Sequence, residues 1–188
     1  VYADVNSGYF DAIEVNILMN LLKVIDNKRQ DIPLLSVLRS PVFQLSTQEL
    51  IKIRAGSRKE TYFEALEDYS RDHEDQLAEK LRSFLDRIGR WKEESRYIPM
   101  EDFLWKLLKE SNYYYYVGAM PGGAQRQANI RVLLDRARQF QQTSMKGLFH
   151  FIKFVDQLKS SSGDMGAAKI LGENDNVVRV MSIHKSKG

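Results

Sequence analysis

Residues 77–91 read Leu-Ala-Glu-Lys-Leu-Arg-Ser-Phe-Leu-Asp-Arg-Ile-Gly-Arg-Trp. Leu77, Leu81, Phe84 (with Leu85), Ile88 and Trp91 recur at intervals of three and four. That is the period of one face of an α-helix, and charged residues fill most of the positions between. The stretch is therefore predicted to be a long amphipathic helix with one buried stripe. Toward the N-terminus the same period continues. Asp11 and Glu14 have capping-box spacing, and Phe10, Ile13, Ile17, Leu21 and Ile25 are expected to share a face that ends near Asp26-Asn27. Asp31 is expected to cap a short helix with Pro33 in its first turn, stopping at Ser40 because Pro41 disfavours helix in the residue before it. Ser46 and Glu49 form a second capping box, opening a helix through Leu50 and Ile53 that Gly56 ends, and a short helix is expected from Lys59 to Tyr69.

Toward the C-terminus, Ile98-Pro99 separates the long helix from one that turns Phe103, Leu104, Leu107 and Leu108 inward. Residues 118–123, Gly-Ala-Met-Pro-Gly-Gly, read as a loop. Ile130, Leu133, Leu134, Ala137 and Phe140 mark a further long helix. Thr143 or Ser144 is expected to cap the last one, which buries Leu148, Phe151, Ile152, Val155 and Leu158. The character then changes: residues 160–166 are small and polar, and Val177–Ile183 is the only strongly strand-like run. A lone strand after a helical body has no partner there, so it is assigned to a sheet of a neighbouring domain. The fold expected is mainly α: a multi-helix body over 1–159 with its first residues open to assignment elsewhere, a flexible exit over 160–176, and a strand and turn over 177–188.

Composition narrows the function classes. The chain has 188 residues, 43% of them apolar, enough for a core without staples. It has no cysteine, which excludes a disulfide scaffold, a thiolate metal site and a cysteine nucleophile. No apolar run approaches the ~20 residues of a membrane span, so no membrane partner is expected. Lys and Arg number 28 against 25 Asp and Glu, so a basic surface must come from local clustering. With Val1 at the start, and Gly188 closing directly on a strand-and-turn run, the chain is expected to be a segment of a longer protein.

The most specific local pattern is that final strand running into His184-Lys185-Ser186-Lys187-Gly188. Side chains alternate along a strand, so Ser182 and His184 share a side, and Lys185, Lys187 and the Gly188 backbone follow at the turn. Such a turn suits phosphate contacts that position a nucleic-acid strand without reading its bases; an ordinary solvated basic turn has the same spacing. Lys52, Arg54, Arg58 and Lys59 flank the Gly56 turn and could touch a duplex backbone. Arg126 and Arg131, with Arg136 and Arg138, lie on one helix and could grip phosphates or form a solvated, ion-paired face. Tyr113–Tyr116 could stack bases, but four consecutive residues cannot share one face, and core packing is the expectation. His73, among Asp72, Glu74 and Asp75, is read as part of a solvated helix start rather than a metal ligand, and His150 as a packed helix residue.

The run Val178-Arg179-Val180-Met181-Ser182-Ile183-His184-Lys185-Ser186-Lys187-Gly188 resembles the fifth conserved motif of UvrD-like superfamily 1 DNA helicases, with Ser182 at the position of the family's threonine. Val24-Ile25-Asp26-Asn27, Gln30–Leu34, Val37–Pro41, Tyr115–Gly123, Gln125–Asn129 and Gly147–Phe149 resemble the AddA (RexA) family in order along the chain. Lys28 stands where that pattern has proline. The resemblance implies an inserted helical domain, termed 2B, whose chain re-enters the second RecA-like motor domain at the final strand. It also implies ATP and Mg as cofactors of the whole enzyme, DNA as substrate, a partner of the AddB (RexB) kind, and a cytoplasmic, nucleoid-associated setting in bacteria.

No Gly-x-x-x-x-Gly-Lys-[Ser/Thr] loop occurs in the chain. No Asp-Glu pair follows an apolar strand, and the family's nuclease metal site belongs to another region. This stretch alone is expected neither to hydrolyse ATP nor to cut DNA. The reading is a DNA-guiding accessory segment of an ATP-dependent 3′→5′ helicase–nuclease of double-strand break repair and recombination. The rival is a helical protein–protein module with no DNA contact; a stand-alone hydrolase lacks any paired catalytic constellation.

Overall fold

The computed structural model describes residues 9–160 with their side chains, together with the backbone of 2–3, 161 and 179–180. Among these residues the chain is mainly helical. A single 3-10 turn, Tyr9–Asp11, is followed by α1 (Ile13–Asp26), α2 (Asp31–Arg39), α3 (Thr47–Ala55) and α4 (Tyr62–Asp72). Then come α5 (Gln76–Glu94), α6 (Met100–Glu110), α7 (Tyr113–Ala119), α8 (Gly123–Gln141) and α9 (Leu148–Ser161). Two short strands, β1 (Tyr2–Ala3) and β2 (Arg179–Val180), pair in parallel with Tyr2 opposite Arg179 and Ala3 opposite Val180. The expectation that the final strand has no partner in the chain is corrected at these two residues; the rest of 177–188 lies outside the described residues.

α1 is the hub, packing against α2, α5, α8 and α9. It buries residues almost all round: Val15, Leu18, Leu21, Leu22, Val24 and Ile25 are all below 3% exposed. An all-round apolar helix is a core helix rather than a surface one. Of the face expected from Phe10, Ile13, Ile17, Leu21 and Ile25, Phe10, Leu21 and Ile25 are buried and Ile17 packs against the core, whereas Ile13 is 59% exposed. Nor does Asp11 cap α1: Ala12 takes the cap position with no side-chain bond, and Glu14 turns inward.

The stripe of α5 is as expected, with Leu77, Leu81, Phe84, Ile88 and Trp91 buried. Trp91 Nε1 donates to Glu110 Oε2 at 2.9 Å, which ties α5 to the end of α6. Asp75 caps α5 by accepting from the Ala78 amide. On α6, Phe103, Leu104, Leu107 and Leu108 are buried as the period required. α2 ends at Ser40, immediately before Pro41. Asp31 does not cap it; its carboxylate accepts instead from the Tyr62 amide at 3.0 Å, in the first turn of α4.

The loop expected over 118–123 is present but shorter, confined to residues 120–122. α7 runs to Ala119 and α8 starts at Gly123, leaving three residues between. Gly122 takes φ 70° there, which glycine adopts without strain. At Gly123 a Cβ would run into the carbonyl of Gly118, so the two helices touch backbone to backbone. Thr143 does not cap α9; its hydroxyl donates back to the Phe140 carbonyl at the end of α8, and Gly147 accepts the first helical bond of α9 from Phe151. His150 is exposed, not packed in the core, with a ring nitrogen 2.8 Å from the Lys146 carbonyl.

The central polar contact is a carboxylate in the core. Glu14 is 3% exposed. Its Oε2 accepts from Arg126 Nη1 at 2.8 Å and its Oε1 from Asn129 Nδ2 at 2.6 Å, both on α8. The Tyr113 hydroxyl donates to the Glu14 carbonyl from α7.

Breaking a buried pair by removing one partner leaves an uncompensated charge. Glu14→Ala is accordingly expected to lower unfolding free energy by about 3–5 kcal/mol, measured by urea denaturation. Gly123→Ala must push α7 and α8 apart and is expected to cost about 1–3 kcal/mol, a fall in Tm of roughly 2–12 °C. Gly89→Ala, in the interior of α5 where nothing lies within 4 Å of the added carbon, is expected to move Tm the other way, by about 0.8–1 kcal/mol of helix propensity.

Candidate nucleic-acid interface

The basic cluster expected around Gly56 is assembled by α3, α4 and the segment between them. Two reciprocal capping boxes set its ends. Ser46 Oγ accepts from the Glu49 amide while Glu49 accepts from the Ser46 amide at 2.7 Å. Thr61 and Glu64 repeat the arrangement at the start of α4. That second box goes beyond the elements expected from sequence, although its Thr-x-x-Glu spacing is there to be seen. The Tyr62 hydroxyl donates to the Leu50 carbonyl at 2.9 Å, pinning α4 to α3. Burial raises its pKa well above the ordinary tyrosine value, so it remains a donor.

Between these helices lies a groove of about 440 Å³ lined by Lys52, Arg58, Lys59, Asp68, Tyr69 and His73 among others. Its cations are not equivalent. Lys52 Nζ meets Asp75 Oδ2 at 2.7 Å, and the same carboxylate accepts from the Tyr69 hydroxyl at 2.7 Å. Those bonds to Asp75 and Tyr69 raise the lysine's pKa, and the hydrogen bonds from Lys52 and the Ala78 amide hold Asp75 far below the usual carboxylate range. Lys59 pairs with Asp68 at 3.4 Å, and Asp68 also takes Arg71 at 2.7 Å. Its pKa is lowered chiefly by Arg71, with Lys59 adding to the effect. Arg54 donates to the Lys59 carbonyl at 2.8 Å, bracing the turn. Arg58 is exposed and has no ion pair among the described residues, as is also true of Arg54. Four sequence-adjacent cations thus reduce to two that carry uncompensated charge.

His73 stacks flat on Tyr69, with ring centroids 4.0 Å apart and planes 4° from parallel. It closes α4 rather than opening α5, and among the described residues no group of three or more His, Asp or Glu is placed to hold a metal.

The α8 arginines divide as well. Arg126 is committed to Glu14 and to the Pro121 carbonyl, so its guanidinium clamps the fold. Arg138 grips Glu101 with two nitrogens, and Arg136 donates to Gln139. Arg131 keeps its charge free of carboxylates among the described residues, donating only to the Tyr114 hydroxyl at 3.0 Å. The tyrosine run is neither all core nor all surface: Tyr113 is buried, Tyr114 half-buried, and Tyr115 and Tyr116 are 62% and 44% exposed. Ser182, His184, Lys185, Lys187 and Gly188 lie outside the described residues. No helix among the described residues is long and apolar enough to cross a membrane.

A helical body with basic turns, followed in the sequence by a Ser-x-His-Lys-x-Lys-Gly run, has a counterpart among known families: the chain belongs to the family described as the UvrD-like helicase C-terminal domain, matched over residues 3–188. Among individual proteins it is 64% identical over 187 residues to the A-type ATP-dependent helicase/nuclease subunit of Alkaliphilus oremlandii. It is 55% identical over 187 residues to the protein of that name from Thermoanaerobacter pseudethanolicus, and 53% over 188 residues to the one from Clostridium acetobutylicum. Each match covers the whole of this chain but only 15–16% of the relative.

The cap that orients the cationic turn is open to titration. The hydrogen bond from Lys80 and the one from the Ser46 amide lower the Glu49 pKa from 4.5 to about 2. A depressed carboxylate stabilises the fold above its unfolded pKa and loses that contribution as pH falls through the folded one. The window for Glu49 is therefore between 4.5 and about 2. An NMR titration is expected to find the Glu49 carboxyl near the lower limit, and Lys80→Met to move it upward. Ser46→Ala is expected to cost about 1 kcal/mol at neutral pH.

Proposed function

We propose that this chain is the DNA-guiding accessory segment of an ATP-dependent 3′→5′ DNA helicase–nuclease that acts in double-strand break repair and recombination. The observation that carries the reading is the 64% identity along the entire chain to an A-type helicase/nuclease subunit. In this reading residues 1–159 form the 2B-like body apart from the first residues, which go with the adjoining RecA-like domain as the pairing of β1 with β2 supports, 160–176 its exit, and 177–188 the strand and turn of the second RecA-like domain. The chemistry of the whole enzyme, with ATP and Mg, belongs to other regions, and this segment alone neither hydrolyses ATP nor cuts DNA. Its partners are duplex and single-stranded DNA and a protein of the AddB kind.

Two contacts divide the work. At the terminal turn Ser182 and His184 touch the backbone of the tracking strand, while Lys185, Lys187 and the Gly188 amide add positive potential. On the body, the α3–α4 rim meets the incoming duplex through Arg58 and Arg54, with Lys52 and Lys59 held at the margin by their carboxylates. Phosphate contacts of this kind position without reading sequence. The role is electrostatic and sequence-independent, suited to an enzyme that moves along any duplex.

In the full-length enzyme, Arg58→Ala is expected to weaken duplex association equally for unrelated sequences. It is also expected to reduce the slope of log affinity against log salt by about one. Arg58 is exposed and has no ion pair among the described residues, so stability is expected to stay within about 0.5 kcal/mol of the parent. An unchanged salt slope would instead favour the helical protein–protein module.

A further inference from the structure

On another part of the body, α6, α7 and α8 present a second set of groups with a different chemistry. Trp105 on α6 meets Tyr114 on α7 edge to face with ring centroids 5.3 Å apart, and Tyr114 meets Tyr115 likewise at 6.0 Å. The three rings form a continuous strip. Tyr115 is 62% exposed, and Trp105 and Tyr114 are half-buried. A cation stands at either side: Lys109 Nζ lies 5.8 Å from the Trp105 ring centre, and the Arg131 guanidinium 6.0 Å from that of Tyr114. Neither has a carboxylate partner among the described residues, whereas Lys106, next in sequence to Trp105, is taken up by Glu94 and Glu110. A cavity of about 580 Å³ opens beside Trp105, lined also by Asp102, Lys106, Lys109 and Glu110.

We infer that this strip is a stacking platform for unpaired DNA, separate from the rim of α3 and α4. A strip of partly exposed aromatic rings flanked by two cations without carboxylate partners among the described residues is complementary to a polymer that combines planar bases with phosphates. A duplex keeps its base faces inside the stack and offers such rings nothing, so the occupant is single-stranded. Tyr115 and Trp105 supply the π faces, and Lys109 and Arg131 the counter-charge. Asp102, one helical turn before Trp105 and without an ion pair among the described residues, repels phosphate at that end and so biases the backbone toward Lys109 and Arg131. The rings are pre-set. Tyr114 is held by the hydrogen bond from Arg131 and by Trp105, and the Gly118–Gly123 contact fixes α7 on α8. Base stacking on such a surface tolerates any sequence, because every base has a π face.

The test uses the full chain and an oligo-dT of about 12 nucleotides, within the span such sites cover. Trp91 is wholly buried, so a change in tryptophan emission reports on Trp105. Oligo-dT is expected to quench that emission, and the quenching to be absent in Trp105→Phe while a labelled oligonucleotide still binds. Tyr115→Ala is expected to weaken binding about five- to a hundredfold, and Tyr115→Phe to restore it, since the ring and not the hydroxyl makes the stack. Arg58→Ala is expected to leave the quenching unchanged, which separates this platform from the duplex rim: either can fail without the other. Absence of quenching by oligo-dT, equal affinity in Tyr115→Ala and parent, or quenching by blunt duplex as strong as by oligo-dT would each overturn the proposal.

Discussion

A carboxylate buried on the hub helix imposes the most demanding constraint in this fold. Removing Glu14 from water is costly unless its charge is met at close range. The groups that meet it, Arg126 and Asn129, lie more than a hundred residues away on α8. The second half of the chain must therefore close on the first for the charge to be tolerated. α8 in turn packs against α6, α7 and α9, so the register set by one ion pair passes to every helix after the midpoint. Tyr113 reinforces it from α7 by donating to the Glu14 carbonyl, and burial pushes its phenol pKa upward, keeping the proton on.

The same economy governs the surface. Cations that appear together in the sequence are divided in space between internal and external duties. Arg126 serves the core, Arg138 holds α8 to Glu101 on α6, and Lys52 and Lys59 answer carboxylates across their groove. Among the cations left without a carboxylate partner among the described residues are Arg54 and Arg58 on one face and Lys109 and Arg131 on another. Exposed pairs such as Lys59–Asp68 are weak and yield readily to a phosphate, so they tune the field without abolishing it.

Much of the architecture is legible in the sequence because amphipathic period and capping are local. The stripes of α5 and α6, the Ser46–Glu49 box and the stop before Pro41 all depend on residues within a few positions of one another. The misreadings share the opposite property. Glu14 has the spacing of a cap partner, and only a residue 112 positions later makes it a core charge. Asp31 begins a helix yet bonds the first turn of another. Gly118–Gly123 does hold a turn at 120–122, but its outer glycines belong to helices and let the two cross, which spacing alone does not reveal. His150 looks like an interior residue because Phe149 and Phe151 flank it; successive helix positions point about 100° apart, so burying Phe151 turns His150 out. The candidate contacts are legible as clusters of charge, but which cations stay free depends on distant carboxylates that no spacing rule reveals.

The crossing of α7 and α8 has a mechanical consequence. Most helix contacts in proteins are cushioned by side chains that hop between rotamers, so a push on one helix is partly absorbed before it reaches the next. At Gly123 there is no such cushion, since backbone rests on backbone. Stress applied to the tyrosine face passes into α8 with little loss, and along α8 to the buried clamp at Glu14. The hairpin behaves as a stiff lever rooted in the hub, and tension in anything gripping its outer end is delivered to the middle of the molecule.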